Sequence, residues 1–448
     1  MKDLIVPDAV MEIFQKLEDA GFETWCVGGA IRDALLGEEA THQRVDALDW
    51  DLATAARPPE IQKVFRRTVP VGIAFGTVGV LDKAGVMHEV TTFRRDVKTD
   101  GRHAVVEFGS SIEEDLARRD FTLNAIAFHP VRREFRDPFD GRSDLRRGIV
   151  RSVGVPGERM REDRLRALRG IRFAARLGFS LETETWQAIL DSAPHMGRLS
   201  AERVKQEIEK TMDQVACPSN AFSMWQTSGA FATLIPALAS ASAVELATAD
   251  QIALPASLAP GNRPAGVPVA KANRRILRLI ALFSSIPQDR LVTVLKDLRF
   301  SNSDTAWIAS IAGHWQSLRP EMEFALKQGS PPDAVLRRWA AITGRTRLAS
   351  VMRLAAASWS AERAMGHDAP AAAAIHSAHR KAIRVAYRDP VEVADLAVNG
   401  SDLARLGITG PAVGQTLRNL LETVITDPGA NTREKLLEIA RSSSGHST

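Results

Sequence analysis

The chain reads as an α+β protein of 448 residues, with a small head in which short strands and helices mix and a long helical remainder. Three observations predict this. Stretches rich in β-branched and aromatic residues, broken by glycine, fall at 25–27, 48–53, 76–81 and 86–93, all within the first third. From about residue 151 apolar residues recur at helical spacing, and beyond Val215 the composition turns Ala- and Leu-rich with few strand signals. The length and a hydrophobic content of 45% suit two to four domains with substantial cores. Lys and Arg number 58 against 54 Asp and Glu, and a net charge of +4 is too small to name a nucleic-acid partner without local clustering. Two cysteines, Cys26 and Cys217, are too few for a disulfide framework or a zinc site. Met1 to Leu17 is amphipathic and lacks the apolar core of a signal peptide, and no stretch reaches the roughly 20 apolar residues of a membrane span. A cytoplasmic protein with no membrane association is the expectation, and no protein partner can be inferred.

In chain order, Trp25, Cys26 and Val27 form a strand that Gly28-Gly29 must end, since glycine permits both a sharp turn and close approach to a ligand. A helix starting near Ala30 offers free N–H groups to an anion. Arg32 lies in its first turn, where the helix dipole does not favour a cation, so a phosphate partner accounts for it better. Leu48 to Ala53 then alternates as a strand and puts Asp49 and Asp51 on one face, where paired carboxylates favour a hard cation such as Mg²⁺. Each feature alone has a plainer explanation, a turn for the glycines and a solvated face for Asp-x-Asp.

Together, Gly-Gly-x-x-Arg-Asp at 28–33 and Asp-x-Asp at 49–51 resemble the head of the nucleotidyltransferase superfamily that includes DNA polymerase β. Within it the chain is similar to the class II tRNA nucleotidyltransferases, the CCA-adding enzymes, and to bacterial poly(A) polymerases. The resemblance implies a polymerase-β-like head (1–150), a helical neck (151–215), a helical body (216–388) and a helical tail (389–448). It further implies Gly28, Gly29, Arg32 and Asp33 at the nucleotide phosphates, and Asp49 and Asp51 as catalytic Mg²⁺ ligands.

Two strands, 76–81 and 86–93, follow a helix bearing Ile61, Val64 and Phe65. Glu89 is an acid inside an otherwise β-branched strand. It is either a third catalytic carboxylate, as the resemblance implies, or a side chain turned to water. Arg94 to His103 reads as a long charged loop, and the family's flexible loop, which takes part in switching from C to A, sits here. Leu116 to Ala127 resembles the family's Arg-Arg-Asp-Phe-Thr-x-Asn-Ala motif. There Arg119 would pair with phosphate oxygens, Asp120 would accept from a ribose hydroxyl or hold an arginine, and Asn124 would both donate and accept. Asp137 to Arg142 is turn chemistry.

Arg161 to Arg176 has the composition of one helix. At about 100° per residue, Glu162, Arg166, Arg169 and Arg176 share a quarter of its circumference with Asp163 at the edge. Ion pairs at i,i+4 explain Glu162 with Arg166 but leave a surplus of arginine that wants an anion. The segment matches the family's Glu-Asp-x-x-Arg motif, in which the protein replaces a template. One carboxylate (Asp163) and one guanidinium (Arg166) complement the amine donor and ring-nitrogen acceptor that cytosine and adenine share, and mismatch uracil and guanine. By resemblance Arg169 and Arg172 line the same pocket. Arg203 and Glu207, one turn apart, would brace this helix.

Farther on, Ala237 to Asn273 reads as a Pro-rich linker, and helices are expected at 274–284, 289–298, 303–318, 332–343, 346–365 and 369–387. His367-Asp368, the one His-Asp pair, sits in a turn, so the metal-dependent hydrolase module of some relatives is not expected. Residues 393–414 and 431–437 resemble the tail of bacterial CCA-adding enzymes, with Ser401 or Asp402 capping one helix and Asn431 or Thr432 the last. The function implied is addition of CCA to tRNA 3′ ends from CTP and ATP. The alternatives are a poly(A) polymerase, an adder of CC or A alone, and an RNA-binding protein whose site no longer works.

Overall fold

The computed structural model describes residues 4–37, 49–99, 104–109, 111–252 and 267–444. The chain forms two compact units, Met1–Ala239 with Pro255–Val267, and Ser240–Leu254 with Pro268–Thr448.

In the first unit, α1 (Asp8–Asp19) buries Val10, Ile13, Phe14 and Leu17, one stripe at helical spacing. Strand β1 (Thr24–Val27) is buried along its whole length and runs into α2 (Gly29–Leu36). Then come β2 (Asp51–Thr54), α3 (Pro58–Val64), β3 (Thr68–Gly72), β4 (Thr77–Leu81) and β5 (Met87–Thr92). A two-stranded ribbon follows, β6 (Arg94–Thr99) with β7 (Ala104–Phe108), and then α4 (Ile112–Ala117), β8 (Ala127–His129), β9 (Glu134–Arg136), α5 (Gly141–Arg147) and β10 (Ile149–Val150). The main sheet has seven strands in the order β3-β4-β5-β2-β1-β8-β9. Its β2–β5 pairing is parallel and the others are antiparallel, which gives the mixed head that the sequence predicts. Trp25, Val27, Ala53, Phe93, Leu116 and Ala127 form the core that fixes β1 and β2 side by side.

Helices α6 (Pro156–Glu162), α7 (Leu165–Leu177), α8 (Thr183–Ser192, after β11, Ser180–Leu181), α9 (Ala201–Gln214), α10 (Pro218–Thr227) and α11 (Ala230–Leu234) complete the unit. The second unit is helical, with Val267–Phe283, Gln288–Asp297, Asn302–Lys327, Asp333–Thr343, Arg345–Ala364 and Ala372–Arg388 as its long elements. Its last segment has a small core of its own built on Val398, Leu403, Leu420, Val424 and Leu436. Among the described residues no helix is long and apolar enough to cross a membrane.

Several local expectations are corrected. The single helix over 161–176 is two, because Asp163 is extended (φ −149°, ψ 105°) and separates α6 from α7. The second head strand begins at Asp51, so Asp49 precedes it rather than sharing its pleat, and Leu48 lies outside the described residues. The charged loop at 94–103 is largely the β6–β7 ribbon, whose register pairs Arg94 with Phe108 and Arg95 with Glu107. Its tip, 100–103, lies outside the described residues. The Pro-rich linker contains a capped helix, Ala243–Thr248, and the next helix already starts at Val267, while 253–266 are not described. In the tail, Asn399 takes the cap expected of Ser401 or Asp402, its Oδ1 accepting from both of their N–H groups.

Candidate active site

The turn between β1 and α2 has to be glycine twice over. Gly28 has φ +80°, and a Cβ there would stand 3.1 Å from Arg119 Nη1 and 3.4 Å from Asp51 Oδ2. The backbone therefore lies against a cation and a carboxylate at once. Helix α2 has no side-chain cap, leaving its first N–H groups for a ligand.

Arg32 is buried and oriented from two sides, Nε donating to Asp33 Oδ1 (2.7 Å) and Nη1 to Asn124 Oδ1 (2.6 Å), with its guanidinium over the Phe173 ring. Its Nη2 lies 3.5 Å from where a Cβ on Gly29 would be, so the free edge faces the glycine turn. Asp33 does not reach that turn; its other oxygen accepts from Arg176 Nη2 at 2.9 Å.

On the next strand, register pairs Val27 with Asp51, bringing the carboxylate beside the turn. Parallel pairing of Leu52 with Val90 puts Asp51 and Glu89 on one sheet face, since both neighbour inward-facing residues. Burial, with Asp49 and Glu89 adding their charge, pushes the Asp51 carboxyl up to about 7, against the opposing pull of Arg119. Burial and Asp49 likewise raise Glu89. A hard divalent cation fits this donor set, because mutually repelling oxygens beside one arginine lack positive charge. Glu89 supplies charge but does not complete a cage. Among the described residues no three His, Cys, Asp or Glu side chains converge as a metal-binding group.

Arg119 is held by Asp115, buried within α4, whose two oxygens bind Arg118 (2.8 and 2.9 Å) and Arg119 (3.3 Å). Sequence reading missed Asp115, although its i,i+3 and i,i+4 spacing to the two arginines was a usable signal. Asp120 takes Arg169 in a two-pronged pair, Nε at 2.8 Å and Nη2 at 2.7 Å, and accepts from Asn124 Nδ2 and the Phe121 N–H. Desolvation works to raise its pKa, but Arg169 and these hydrogen bonds outweigh it and hold the carboxyl down to about 2. A continuous relay Arg32–Asn124–Asp120–Arg169 thus ties α2 to α7.

The break at Asp163 has visible causes. Oδ1 accepts from the Leu165 N–H (3.0 Å) as a cap for α7, and Oδ2 accepts from Arg203 Nη2 (2.7 Å). Arg166 donates to Glu162 Oε2 (2.5 Å) and to the Arg118 carbonyl, and Glu162 also accepts from Arg159 (2.7 Å). Arg172 points away from this cluster, with Nε on Glu207 (2.8 Å) and Nη1 on Gln214 (2.9 Å). Arg203 and Glu207 therefore brace α7 as the sequence predicts, one through Asp163 and the other through Arg172.

A mixed head sheet carrying a glycine turn beside paired carboxylates, joined to an arginine-lined helix, defines a nucleotidyltransferase. Residues 24–151 match the family model described as the poly A polymerase head domain, and 178–242 the one described as the probable RNA and SrmB-binding site of polymerase A. A CCA-adding enzyme of Leuconostoc mesenteroides is 46% identical over 202 residues, 45% of this chain and 48% of that one, so this alignment spans about half of the relative's length. One from Lactobacillus delbrueckii subsp. bulgaricus is 31% identical over 431 residues, 96% of both chains. The solved Bacillus stearothermophilus CCA-adding enzyme in complex with CTP superposes with a TM-score of 0.73 at 30% identity, over 98% of this chain and 100% of that one. The chain belongs to the family of the CCA-adding enzymes.

Proposed function

We propose that the protein adds C, C and A to the 3′ end of tRNA from CTP and ATP without a nucleic-acid template. The observation that carries this reading is the pair Asp163 and Arg166, each held by its own partner, beside a phosphate turn and a carboxylate pair in the same unit. Asp163 accepts from the exocyclic amine of C or A, and Arg166 donates to the ring nitrogen. Uracil and guanine reverse that polarity and leave buried groups unpaired, a cost of about 1–3 kcal/mol each. Gly28, Gly29, Arg32 and Arg119 hold the triphosphate, and Arg169 completes the sugar side of the pocket. Asp33, Asp120, Asn124 and Glu162 act by holding those groups in place, and Arg172 braces α7 through Glu207 and Gln214.

Asp49 and Asp51 are the residues that would hold Mg²⁺, with Glu89 adding negative charge nearby. Bound there, the cation would lower the pKa of the tRNA 3′-hydroxyl and offset the charge that develops as pyrophosphate leaves. The protein's own part is orientation: the glycine turn fixes the phosphates, and the α7 arginines fix the base and sugar. Division into head, neck, body and tail follows the family pattern, with the tail holding the tRNA by shape and phosphate contacts.

Product length on a tRNA transcript ending before its CCA tests this. CTP alone should add two residues, and ATP should add a third only after them. A long ladder with ATP alone would make the protein a poly(A) polymerase. A stop after CC, or addition of A alone, would make it a partial adder. Binding without extension would make it a retired enzyme.

A further inference from the structure

The donors of Arg166 are already apportioned. Its Nη1 gives to Glu162 Oε2 (2.5 Å) and to the Arg159 carbonyl (3.2 Å), and its Nη2 gives one N–H to the Arg118 carbonyl (3.3 Å). A guanidinium has five N–H groups, so Nε and the second N–H of Nη2 remain for a base. Where those two point depends on the acceptors that hold the rest, and Arg159 fixes two of them.

Arg159 lies on α6, and its side chain is only 15% exposed. All three of its nitrogens are bonded, Nε to the Val153 carbonyl (3.2 Å), Nη1 to Glu162 Oε2 (2.7 Å) and Nη2 to the Ala117 carbonyl. Val153 belongs to the head core, and Ala117 is the last residue of α4, where a cation suits the helix dipole. The Arg159 carbonyl accepts from the Asp163 N–H (3.3 Å) as well as from Arg166 Nη1. One residue therefore touches both Asp163 and Arg166 and ties them to the head. Asp163 has a second anchor in Arg203, on α9. For Arg166 the critical point is Glu162, because a single oxygen, Oε2, serves both arginines. With Arg159 gone, that carboxylate is left to Arg166, whose planar fork closes on a carboxylate two-pronged. The N–H groups spared for a base are then used internally.

We propose that Arg159 is a positioning residue for base selection: it shares Glu162 and pins the carboxyl end of α6, so that Arg166 keeps two N–H groups for the nucleotide. This rests on the reading of Asp163 and Arg166 as the pair that selects the base. Arg159 acts through Glu162 and Arg166 and reads no base itself.

The test is equilibrium dialysis of the full chain with labelled CTP and labelled UTP in Mg²⁺, without RNA, for the parent, Arg159→Met, Arg159→Lys and Arg337→Met. Arg337, in the second unit, is a chemical match for Arg159, with Nε on the Ile425 carbonyl (2.6 Å), Nη1 on Asp389 (3.0 Å) and Nη2 on the Thr426 carbonyl (3.4 Å). Arg159→Met should raise the Kd for CTP about tenfold and leave that for UTP within about twofold, so the preference for C falls by nearly the whole loss. Arg159→Lys keeps a charge for Glu162 but cannot span to both carbonyls, and should lose about threefold of the preference. Arg337→Met should lower the Tm and leave the preference at the parent's value. An unchanged preference in Arg159→Met, with a Tm lowered as in Arg337→Met, makes Arg159 a structural brace and overturns the proposal. So does an equal loss for CTP and UTP, which would place the damage at the triphosphate. If Arg159→Met does not fold, Arg159→Lys decides, and a preference equal to the parent's overturns the proposal. Binding is read without catalysis, so a parent that prefers CTP and never extends tRNA refutes the adding activity and leaves this comparison intact. A parent that binds CTP and UTP alike refutes Asp163 and Arg166 as the base-selecting pair, and the proposal with them.

Discussion

Asp51 and Asp120 are carboxylates of one site, shifted in opposite directions. Asp51 is pushed up to about 7 by burial and by Asp49 and Glu89, while Asp120 is held down to about 2 by Arg169, Asn124 and the Phe121 N–H, which overcome its burial. The difference separates two kinds of preparation. At the Asp51 end, carboxylates crowd together with Arg119 as the one opposing charge among the causes of the shift. The Asp120 end is already a closed network in which donors and acceptors fix one another before any nucleotide arrives.

The largest expected effect comes from deleting the crowded end. Asp51→Ala should lower kcat for CTP incorporation by about 10³-fold or more, with tRNA Kd little changed, measured by single-turnover extension. Removing the base-reading acid comes next. Asp163→Ala should raise UTP and GTP use relative to CTP and ATP by about 10- to 100-fold in kcat/KM, since the mismatch no longer strands a buried carboxylate. If discrimination is unchanged, the base is read elsewhere.

The closed network predicts a stability effect with a defined pH window. Asp120 has a folded pKa below its unfolded value of 3.8, so its stabilisation is present above about pH 4 and is lost as pH falls toward 2. Asp120→Asn should cost on the order of 2 kcal/mol at pH 7, and denaturant curves for parent and variant should converge toward pH 2. The smallest effect is expected from the brace. Arg203→Ala should lower kcat/KM about tenfold for CTP and ATP alike, and Arg203→Lys should restore part of it.

The two ends also differ in how legible they were. The Asp51 end is local: a strand, a glycine pair, a helix start and a second strand lie within about thirty residues, and their periodicity identifies them directly. Even there, the alternation over 48–53 extends the strand back past Asp49, whereas it starts only at Asp51. The Asp120 end is built from long-range pairs, Arg32 with Asn124 across 92 residues and Asp120 with Arg169 across 49, which no periodicity encodes. For the same reason the break at Asp163 was hidden. Composition over 161–176 favours one helix, and the extended residue is held by Arg203, 40 positions away. The β6–β7 ribbon read as a loop because its charged residues mask the strand alternation.

The most direct test of the contrast is proton release on Mg²⁺ binding, from calorimetric titration in two buffers of different ionisation enthalpy. A carboxyl with its folded pKa near 7 is part-protonated at pH 6–7 and must lose that proton to bind the cation. The prediction is release of about half a proton at pH 7, more at pH 6 and almost none at pH 8.5, abolished by Asp51→Asn and retained by Asp120→Asn. Mg²⁺ binding that releases no protons between pH 6 and 7, or that survives Asp51→Asn unchanged, would contradict the account of Asp51 as the crowded end of the site.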